Sequence, residues 1–393
     1  MDVLQRAIRA RTSVTGMATG TRAGLLDDRE PLQSFMKHRV LSTYGMVFTQ
    51  KLSQGTDLPV VLVDGYAGRG RYGDGTPASA ELLLKAAIAD KLRKTTVELV
   101  EKNVEFCAEL RRIGAEYRCH GRGVAHISEG GVEDHLDSIL QRAVNSHLFL
   151  FLDPCGAGLS FEQLVGLHRR HPQDWPRTEV LLNFNGDLGR RVAAAALGSE
   201  RDSVLDAVCG GGWWRQSVQK GRTRSPDDWE GALSQLVADY VAHLEQAMPG
   251  RMVTAVPVKR KYTNQPVFYL VHTTTSGHGL WEISNSIARA TRAWRDENEL
   301  REMGPQGSLF DPPDVVSSMA DAKSRVSENL VALSKSTGGY RIVDKARPVL
   351  DGALGVLTDA EVGRVARDLA AAQPPRIGLE KASRPAHYVV QPV

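Results

Sequence analysis

The stretch VVLVDGYAGRG, residues 60–70, decides the fold. Four apolar residues and a final acid predict a buried strand, and a glycine-rich turn follows it. Gly68 and Gly70 permit backbone conformations and close approach that a side chain would block. Open α/β sheets bind their ligands at the carboxyl ends of their strands, where this turn is expected to lie. The pattern D-x-x-x-G-x-G after a first strand therefore indicates a nucleoside-binding turn, and a glycine-rich surface turn capped by Asp64 is the alternative.

Similar strands recur along the chain as far as residue 184. Short β-rich runs at 96–101, 124–128, 147–153 and 179–184 alternate with predicted helices that begin at Pro77, Asn103, Val132 and Ser160. Continuous apolar strands that alternate with amphipathic helices are typical of a parallel sheet covered on both faces. Two further runs, 252–258 and 267–273, predict a closing pair of strands before a long helix. The predicted fold class is therefore α/β, a doubly wound, Rossmann-like sheet of five parallel strands plus that late pair.

The length of 393 residues exceeds what one ordinary core supports, so several units are expected. Residues 1–55 are predicted to form a helical N-terminal extension, and residues 56–300 the sheet domain with a helical insertion at 186–250. Residues 301–315 are rich in Pro and Gly and are predicted to be a linker. In residues 316–393, a capping box at Thr358 and Glu361 opens a helix that two short strands follow, which is the outline of a winged helix.

Composition excludes several classes of protein. Hydrophobic residues make up 42% and charged residues 24%, as in ordinary globular chains. No apolar run approaches the roughly 20 residues of a membrane span, and no signal core is visible at the N-terminus. Four scattered cysteines without a CxxC pair predict reduced thiols, no zinc site and a cytoplasmic location. The net charge of +3 is small, but 11 Lys/Arg against 8 Asp/Glu after residue 314 place the whole excess in the tail.

The second predicted strand also ends in an acid, Glu101. A carboxylate at this position can accept hydrogen bonds from both ribose hydroxyls. Dinucleotide enzymes carry such an acid about 20 residues after the glycine turn. Glu101 follows Gly70 by 31 residues, and the turn lacks G-x-G-x-x-G. Both facts favour S-adenosylmethionine over NAD, and an exposed strand-end acid is the alternative.

The loop after the third strand offers Glu133 or Asp134 as a contact for the adenine amino group. A helix N-terminus enriched in acids explains these residues equally well.

The fourth strand ends in Leu152-Asp153-Pro154-Cys155-Gly156. The Asp153 carboxylate and the Pro154 carbonyl can accept hydrogen bonds from an exocyclic amine and orient its lone pair toward a sulfonium methyl group. Proximity then supplies most of the rate. The alternative is an aspartate that caps the following helix. Cys155 has no local base and is interpreted as a small loop residue.

Other residues are candidates for substrate contacts. Asn183, at the end of the fifth strand, is expected to line the pocket opposite Asp153. Lys259 and Lys261 lie in a basic turn between the late strands, and Arg364 lies on the tail helix, where phosphate contacts are expected. Packing or solvated charge is the ordinary alternative for each.

Together these residues resemble the three-Cys-motif partner protein family, a branch of the class I S-adenosylmethionine-dependent methyltransferase fold. The matching segments are 38–44, 63–80, 150–160, 181–184 and 276–296. The family's first turn, D-x-F-A-G-x-G, is matched by Asp64, Ala67, Gly68 and Gly70, with Tyr66 in place of Phe. Its D-P-aromatic-G turn is matched by Asp153, Pro154 and Gly156, with Cys155 in place of the aromatic residue. The family name reflects genomic pairing, so the resemblance also implies a partner protein.

The expected function is that of an S-adenosylmethionine-dependent methyltransferase that N-methylates a base of DNA or RNA. The expected cofactor-binding residues are Asp64, Tyr66, Ala67, Gly68, Gly70, Glu101 and Glu133, and the expected catalytic residues are Asp153, Pro154 and Gly156. This chemistry requires neither a metal nor a covalent enzyme intermediate. The alternative is a non-catalytic methyltransferase-like module that binds nucleic acid or a partner protein. An NAD-dependent reductase fails on the spacing of the turn and on the late strand pair.

Overall fold

The computed structural model describes residues 30–92, 94–119, 122–156, 158–170, 176–185, 201–222, 228–259, 266–303 and 313–393. Seven strands build the central sheet: β1 (Val60–Asp64), β2 (Thr95–Glu101), β3 (Ala125–Glu129), β4 (His147–Leu152), β5 (Thr178–Asn185), β6 (Met252–Lys259) and β7 (Pro266–Thr274). Their order across the sheet is β3-β2-β1-β4-β5-β7-β6.

The directions and the order of the strands define the topology of the sheet. β1 to β5 are mutually parallel, β7 runs antiparallel to β5, and β6 runs antiparallel to β7. A strand order of 3-2-1-4-5-7-6 with only the seventh strand reversed is that of the Rossmann-like class I methyltransferase sheet. The prediction of five parallel strands and a late closing pair is confirmed.

Nine helices of this part of the chain are described: α1 (Leu32–Gly55), α2 (Ser79–Ile88), α3 (Val104–Glu116), α4 (Val132–Arg142), α5 (Phe161–His168), α6 (Arg201–Cys209), α7 (Trp214–Gly221), α8 (Trp229–Ala247) and α9 (Gly277–Met303). They cover both faces of the sheet. Successive side chains of a strand point to opposite faces and therefore belong to two different cores. Leu62, Phe149 and Phe151 pack with α1, α2, α3 and α9, whereas Val63 and Leu150 pack with α4 to α8. Among the described helices, none is long and apolar enough to cross a membrane.

Local signals set the beginnings of several helices. Asn103 caps α3 by accepting the N–H groups of Glu105 and Phe106, and Ser160 and Gln163 form a capping box at α5. Such caps satisfy N–H groups that have no partner within the helix. Residues 186–200 and 223–227 of the predicted helical insertion lie outside the described residues, and α6, α7 and α8 form the rest of it.

Helix α1 belongs to the layer that covers the sheet. Leu41 and Tyr44 are buried in the core that the helix shares with β1 and β4. The rings of Tyr44 and Phe48 lie 5.6 and 5.4 Å from that of Phe149 on β4. The segment predicted as an N-terminal extension is therefore packed, from residue 30 onward, against the central strands. Residues 1–29 lie outside the described part.

The C-terminal segment consists of α10 (Pro313–Thr337), β8 (Tyr340–Arg341), a 3₁₀ turn (Ile342–Lys345), α11 (Ala346–Val349), α12 (Asp359–Ala371), β9 (Gly378–Glu380) and β10 (Val389–Gln391). Its three strands form an antiparallel sheet in the order β8-β10-β9. The carboxylate of Glu361 accepts the N–H of Thr358 at 2.9 Å, at the predicted start of α12. The winged-helix designation stays a prediction, and residues 304–312 of the predicted linker lie outside the described chain.

This segment is docked on α9. The indole N–H of Trp281 donates to Asp359 Oδ1 at 2.8 Å, and Asn285 Oδ1 accepts the N–H of Asp359 at 3.0 Å. Arg384 forms an ion pair with Glu282 at 2.8 Å. In helix-turn-helix proteins the N-terminal residues of the recognition helix reach the base edges. That end of α12 lies against α9 here through Asp359.

Candidate active site

The glycine turn after β1 has a backbone that other residues rarely adopt. Gly68 has φ 59° and Gly70 has φ 84°. A Cβ atom on Gly70 would lie 2.9 Å from Ile113 Cδ1 on α3, which is closer than real Cβ contacts come. The positive φ angles therefore favour glycine at both positions, and at Gly70 the side chain of Ile113 also leaves little room for a Cβ atom.

Asp64 lies at the tip of β1 and is fully buried. Its Oδ1 accepts the N–H of Tyr66 at 3.1 Å. Burial raises the pKa of Asp64 to about 7, although hydrogen bonds from the Ser79 hydroxyl and the Tyr66 N–H oppose the rise. The charges of Asp153 and Glu101 add to the effect of burial.

Glu101, at the tip of β2, is only 4% exposed. Its Oε2 accepts the N–H of Gly68 and its Oε1 accepts the N–H of Asn103, both at 2.8 Å. Glu101 therefore holds the glycine turn in place, and the alternative of an exposed strand-end acid does not hold. A carboxylate accepts about four hydrogen bonds, so two positions remain for a ligand's hydroxyl groups.

A pocket of about 310 Å³, open to solvent, lies at the tips of β1, β2 and β3. Its walls include Tyr66, Glu101, Gly130, Gly131, Val132 and Cys155. Asp64 and Asp153 are not wall residues, but their charges act on each other and Asp153 also acts on Tyr66. The acids at the tips of β1, β2 and β4 therefore belong to one region of the molecule.

Glu133 lies in the first turn of α4, where helices commonly carry acids. Burial opposes its ionisation, but the ammonium of Lys102, 2.8 Å away, outweighs that effect and the pKa of Glu133 is lowered. Glu133 is not a wall residue of the pocket, whereas Gly131 and Val132 are. Its contact with an adenine amino group stays a prediction.

Asp153 follows β4 and is bound by two partners. Its Oδ2 is ion-paired with Lys37 Nζ, and its Oδ1 accepts from Asn183 Nδ2. It does not cap α5, whose N-cap is Ser160. Burial opposes ionisation of Asp153, but Lys37 and Asn183 outweigh it and the pKa of Asp153 is lowered. Asp153 is therefore a carboxylate at neutral pH, and a fifth of its side chain (20%) remains accessible.

Strand register brings Asn183 to Asp153, because Leu152 of β4 pairs with Leu182 of β5. Asn183 is 6% exposed, and its Oδ1 has no hydrogen-bond partner within the described chain. Two oxygen acceptors, one charged and one unpaired, thus lie side by side.

The other predicted residues of this region surround these acids. Burial raises the pKa of Tyr66, and the charges of Glu133 and Asp153 add to the effect, so its hydroxyl stays neutral. Ala67 is buried and its N–H donates to the Val100 carbonyl at 2.9 Å. Pro154 is buried and Gly156 is half-buried, while Cys155 between them is exposed in the pocket wall.

Helix α1 also contributes to the site, which was not predicted from the sequence. Lys37, whose side chain is 11% exposed, reaches Asp153 from this helix. The neighbouring His38 is bound to Glu30 through Nδ1, and its ring lies 5.9 Å from that of Tyr72. A signal was present, because Lys37 continues the buried stripe of Leu41, Tyr44 and Phe48 at helical spacing.

The predicted substrate contacts of Lys259 and Lys261 stay predictions. Lys259 ends β6, and nothing is described of its side chain; Lys261 lies outside the described residues. Arg364 is exposed on α12, and within the described part of the chain no hydrogen bond or ion pair joins it to the strand tips.

Comparison with known proteins shows likeness in structure only. No family model and no curated protein matches the chain, so the resemblance to the three-Cys-motif partner family stays a prediction. A Legionella pneumophila protein of the DUF519 family is similar at 7% identity and a TM-score of 0.34, over 69% of this chain and 94% of that one. An O-methyltransferase of Bacillus cereus, solved in complex with SAH, is similar at 16% identity and a TM-score of 0.30, over 63% of this chain and 82% of that one. Similarity of this size bears on neither ligand nor substrate.

Proposed function

We propose that the protein is an S-adenosylmethionine-dependent methyltransferase that methylates an amino nitrogen of a nucleic-acid base. The single observation that carries the proposal is the convergence of Asp64, Glu101 and Asp153 at one end of a class I methyltransferase sheet. Burial of carboxylates is costly, and burial together with the charges of Asp153 and Glu101 raises the pKa of Asp64, so the gathering of these acids favours a ligand site over a passive scaffold.

The residues at the tips of β1 and β2 fit an adenosyl ligand. Gly68 and Gly70 give the turn its conformation, and Glu101 in the pocket wall retains free acceptor positions for ribose hydroxyls. S-adenosylmethionine, when bound, supplies an electrophilic methyl group on sulfur.

The residues at the tips of β4 and β5 fit an amino acceptor. Asp153 is a carboxylate with a lowered pKa, so it accepts hydrogen bonds and is a poor base. Asn183 Oδ1 beside it is a second acceptor. An amino group has two N–H donors, and holding both would fix the direction of its lone pair and supply much of the rate.

The function is tested with the Asp153→Ala variant. Calorimetry should show that S-adenosylhomocysteine binds the wild type and the variant with affinities within about threefold, or about 0.6 kcal/mol, because Asp153 faces the acceptor. With radiolabelled S-adenosylmethionine and fractionated cellular DNA, RNA and protein, the wild type should label nucleic acid and the variant should not. Asp137→Ala, at an exposed position of α4, is the matched control and should behave as the wild type.

The alternatives give different results in the same assays. Binding of NAD without S-adenosylhomocysteine would refute the proposed cofactor. Binding of S-adenosylhomocysteine without methyl transfer to any fraction would favour the non-catalytic module. Labelling of the protein fraction alone would leave a methyltransferase with a different acceptor.

A further inference from the structure

Lys37 is held at the acceptor end of the sheet by contacts on two sides. Its Nζ forms the ion pair with Asp153 Oδ2 and lies 5.4 Å from the centre of the Phe268 ring on β7. Cation–π contact of this kind adds to the attraction of the carboxylate. Because α1 is anchored in the core through Leu41 and Tyr44, the ammonium has a fixed position relative to β4.

The remaining groups around Asp153 come from several elements. They are His38 of α1 and Glu30 before it, Asp64 of β1, Tyr66 and Tyr72 of the segment after β1, and Asn183 of β5. His38 is bound to Glu30, whose backbone carbonyl in turn accepts from Arg301 of α9 at 3.0 Å. Both tyrosine hydroxyls are kept neutral by burial. The negative charge of the Asp153 carboxylate is thus balanced by the ammonium of Lys37.

We propose that Lys37 is a positioning and specificity residue of the acceptor site, which fixes the Asp153 carboxylate and cancels its charge so that the site takes a neutral amino nitrogen and rejects a cationic one. This inference rests on the proposed function and adds the class of acceptor. An exocyclic amine of a nucleobase is neutral at physiological pH, whereas a lysine side chain of a protein is not.

The charge balance separates these two acceptors. A cationic amine that enters the site loses its hydration, and the carboxylate that could compensate it is already paired with Lys37. The cationic amine also has no lone pair until it loses a proton, and Asp153 is too weak a base to take that proton. A neutral amine needs only hydrogen-bond acceptors. Its nitrogen forms the new bond to carbon, the electron pair of the breaking carbon–sulfur bond stays on sulfur, and the nitrogen then releases one proton to water.

The first test measures the titration of Asp153 without any turnover. Lys37→Met is compared with Lys37→Arg, which keeps the charge, and with Lys51→Met, a matched control at an exposed position of the same helix. Carbon-13 NMR of protein labelled at aspartate carboxyls reports each midpoint, and Asp153→Asn and Asp64→Asn assign the two buried signals. The Asp153 midpoint should rise by about 1–3 pH units in Lys37→Met only. A midpoint that stays in place would refute the positioning role.

The second test measures acceptor choice. In Lys37→Met the kcat on nucleic acid should fall about 100-fold, with little change in KM, because the Asp153 carboxylate is no longer held in position. The acidic limb of the pH–rate profile should move toward neutral pH. Lys37→Arg should recover most of the rate. The ratio of labelling of a lysine-rich protein to labelling of nucleic acid should increase in Lys37→Met, and an unchanged ratio would overturn the specificity role. If the wild type labels no fraction at all, the proposed function fails, while the NMR result still decides the link between Lys37 and Asp153.

Discussion

The most direct perturbation of the cofactor side of the site is Glu101→Gln. Glu101 accepts one backbone N–H on each oxygen, from Gly68 and from Asn103, at 2.8 Å. The amide of glutamine has a single acceptor oxygen, so one of the two buried N–H groups must face an NH₂ group instead. Hydrogen bonds to a charged group contribute about 1.5–3 kcal/mol each. The loss of one bond should lower the free energy of unfolding by about 2 kcal/mol.

The same substitution should weaken cofactor binding. The glycine turn loses an anchor, and the ribose hydroxyls lose the charge of their acceptor. The affinity for S-adenosylhomocysteine, measured by titration calorimetry, should fall about 10- to 100-fold, or about 1.4–2.8 kcal/mol. Urea unfolding of the ligand-free protein measures the loss of folding stability, which separates it from the loss of affinity for S-adenosylhomocysteine.

Glu129→Gln is the matched control. Glu129 is paired in register with Glu101 on the adjacent strand β3, but 46% of its side chain is exposed and its carboxylate lies 3.9 Å from Arg111. This substitution should change stability by less than about 0.5 kcal/mol and leave the affinity unchanged. Equal affinity losses in both variants, or none in Glu101→Gln, would refute the assignment of Glu101 to the ribose.

Two further predictions concern other parts of the molecule. The pKa of Asp64 is about 7 in the folded protein against an ordinary 3.8, so the folded state binds the extra proton between these values. The contribution of Asp64 to the free energy of unfolding should therefore fall as pH rises from about 4 to 7, by up to about 4 kcal/mol. The buried His147 and His168, whose pKa values are lowered, contribute in the opposite direction, so the difference between the wild type and Asp64→Asn in urea unfolding isolates the Asp64 part. Lys381 is exposed directly after β9, and Arg364 is exposed on α12. If the tail binds phosphates, Arg364→Ala combined with Lys381→Ala should reduce the slope of log affinity against log salt for duplex DNA by about 1.8, measured by fluorescence anisotropy, with S-adenosylhomocysteine affinity unchanged. An unchanged slope would contradict the tail contact; point variants are used because Trp281 and Glu282 of α9 are bound to the tail, so removing it would expose part of the core.

The fold was predictable because its signals are local. β1 and β4 are nearly continuous apolar runs, and Asn103 and Ser160 mark the starts of two of the helices between the strands. Parallel strands need crossover connections, which helices supply here. An alternation of strands and helices is therefore compatible with only a few sheet topologies. The same pattern predicts that the acids at the strand tips lie near one another, because the carboxyl ends of parallel strands meet at one edge of the sheet.

By itself, then, the sequence determined the sheet and the positions of Asp64, Glu101 and Asp153 at its carboxyl edge. Only the tertiary structure decided what those acids contact. Lys37 and Asp153 are 116 residues apart, and their ion pair exists because α1 packs beneath β4. Asn183 reaches Asp153 because β5 lies next to β4 in a particular register. Local patterns extend over a few residues along the chain, whereas the charge state of a buried carboxylate depends on whichever groups packing brings within a few ångströms of it.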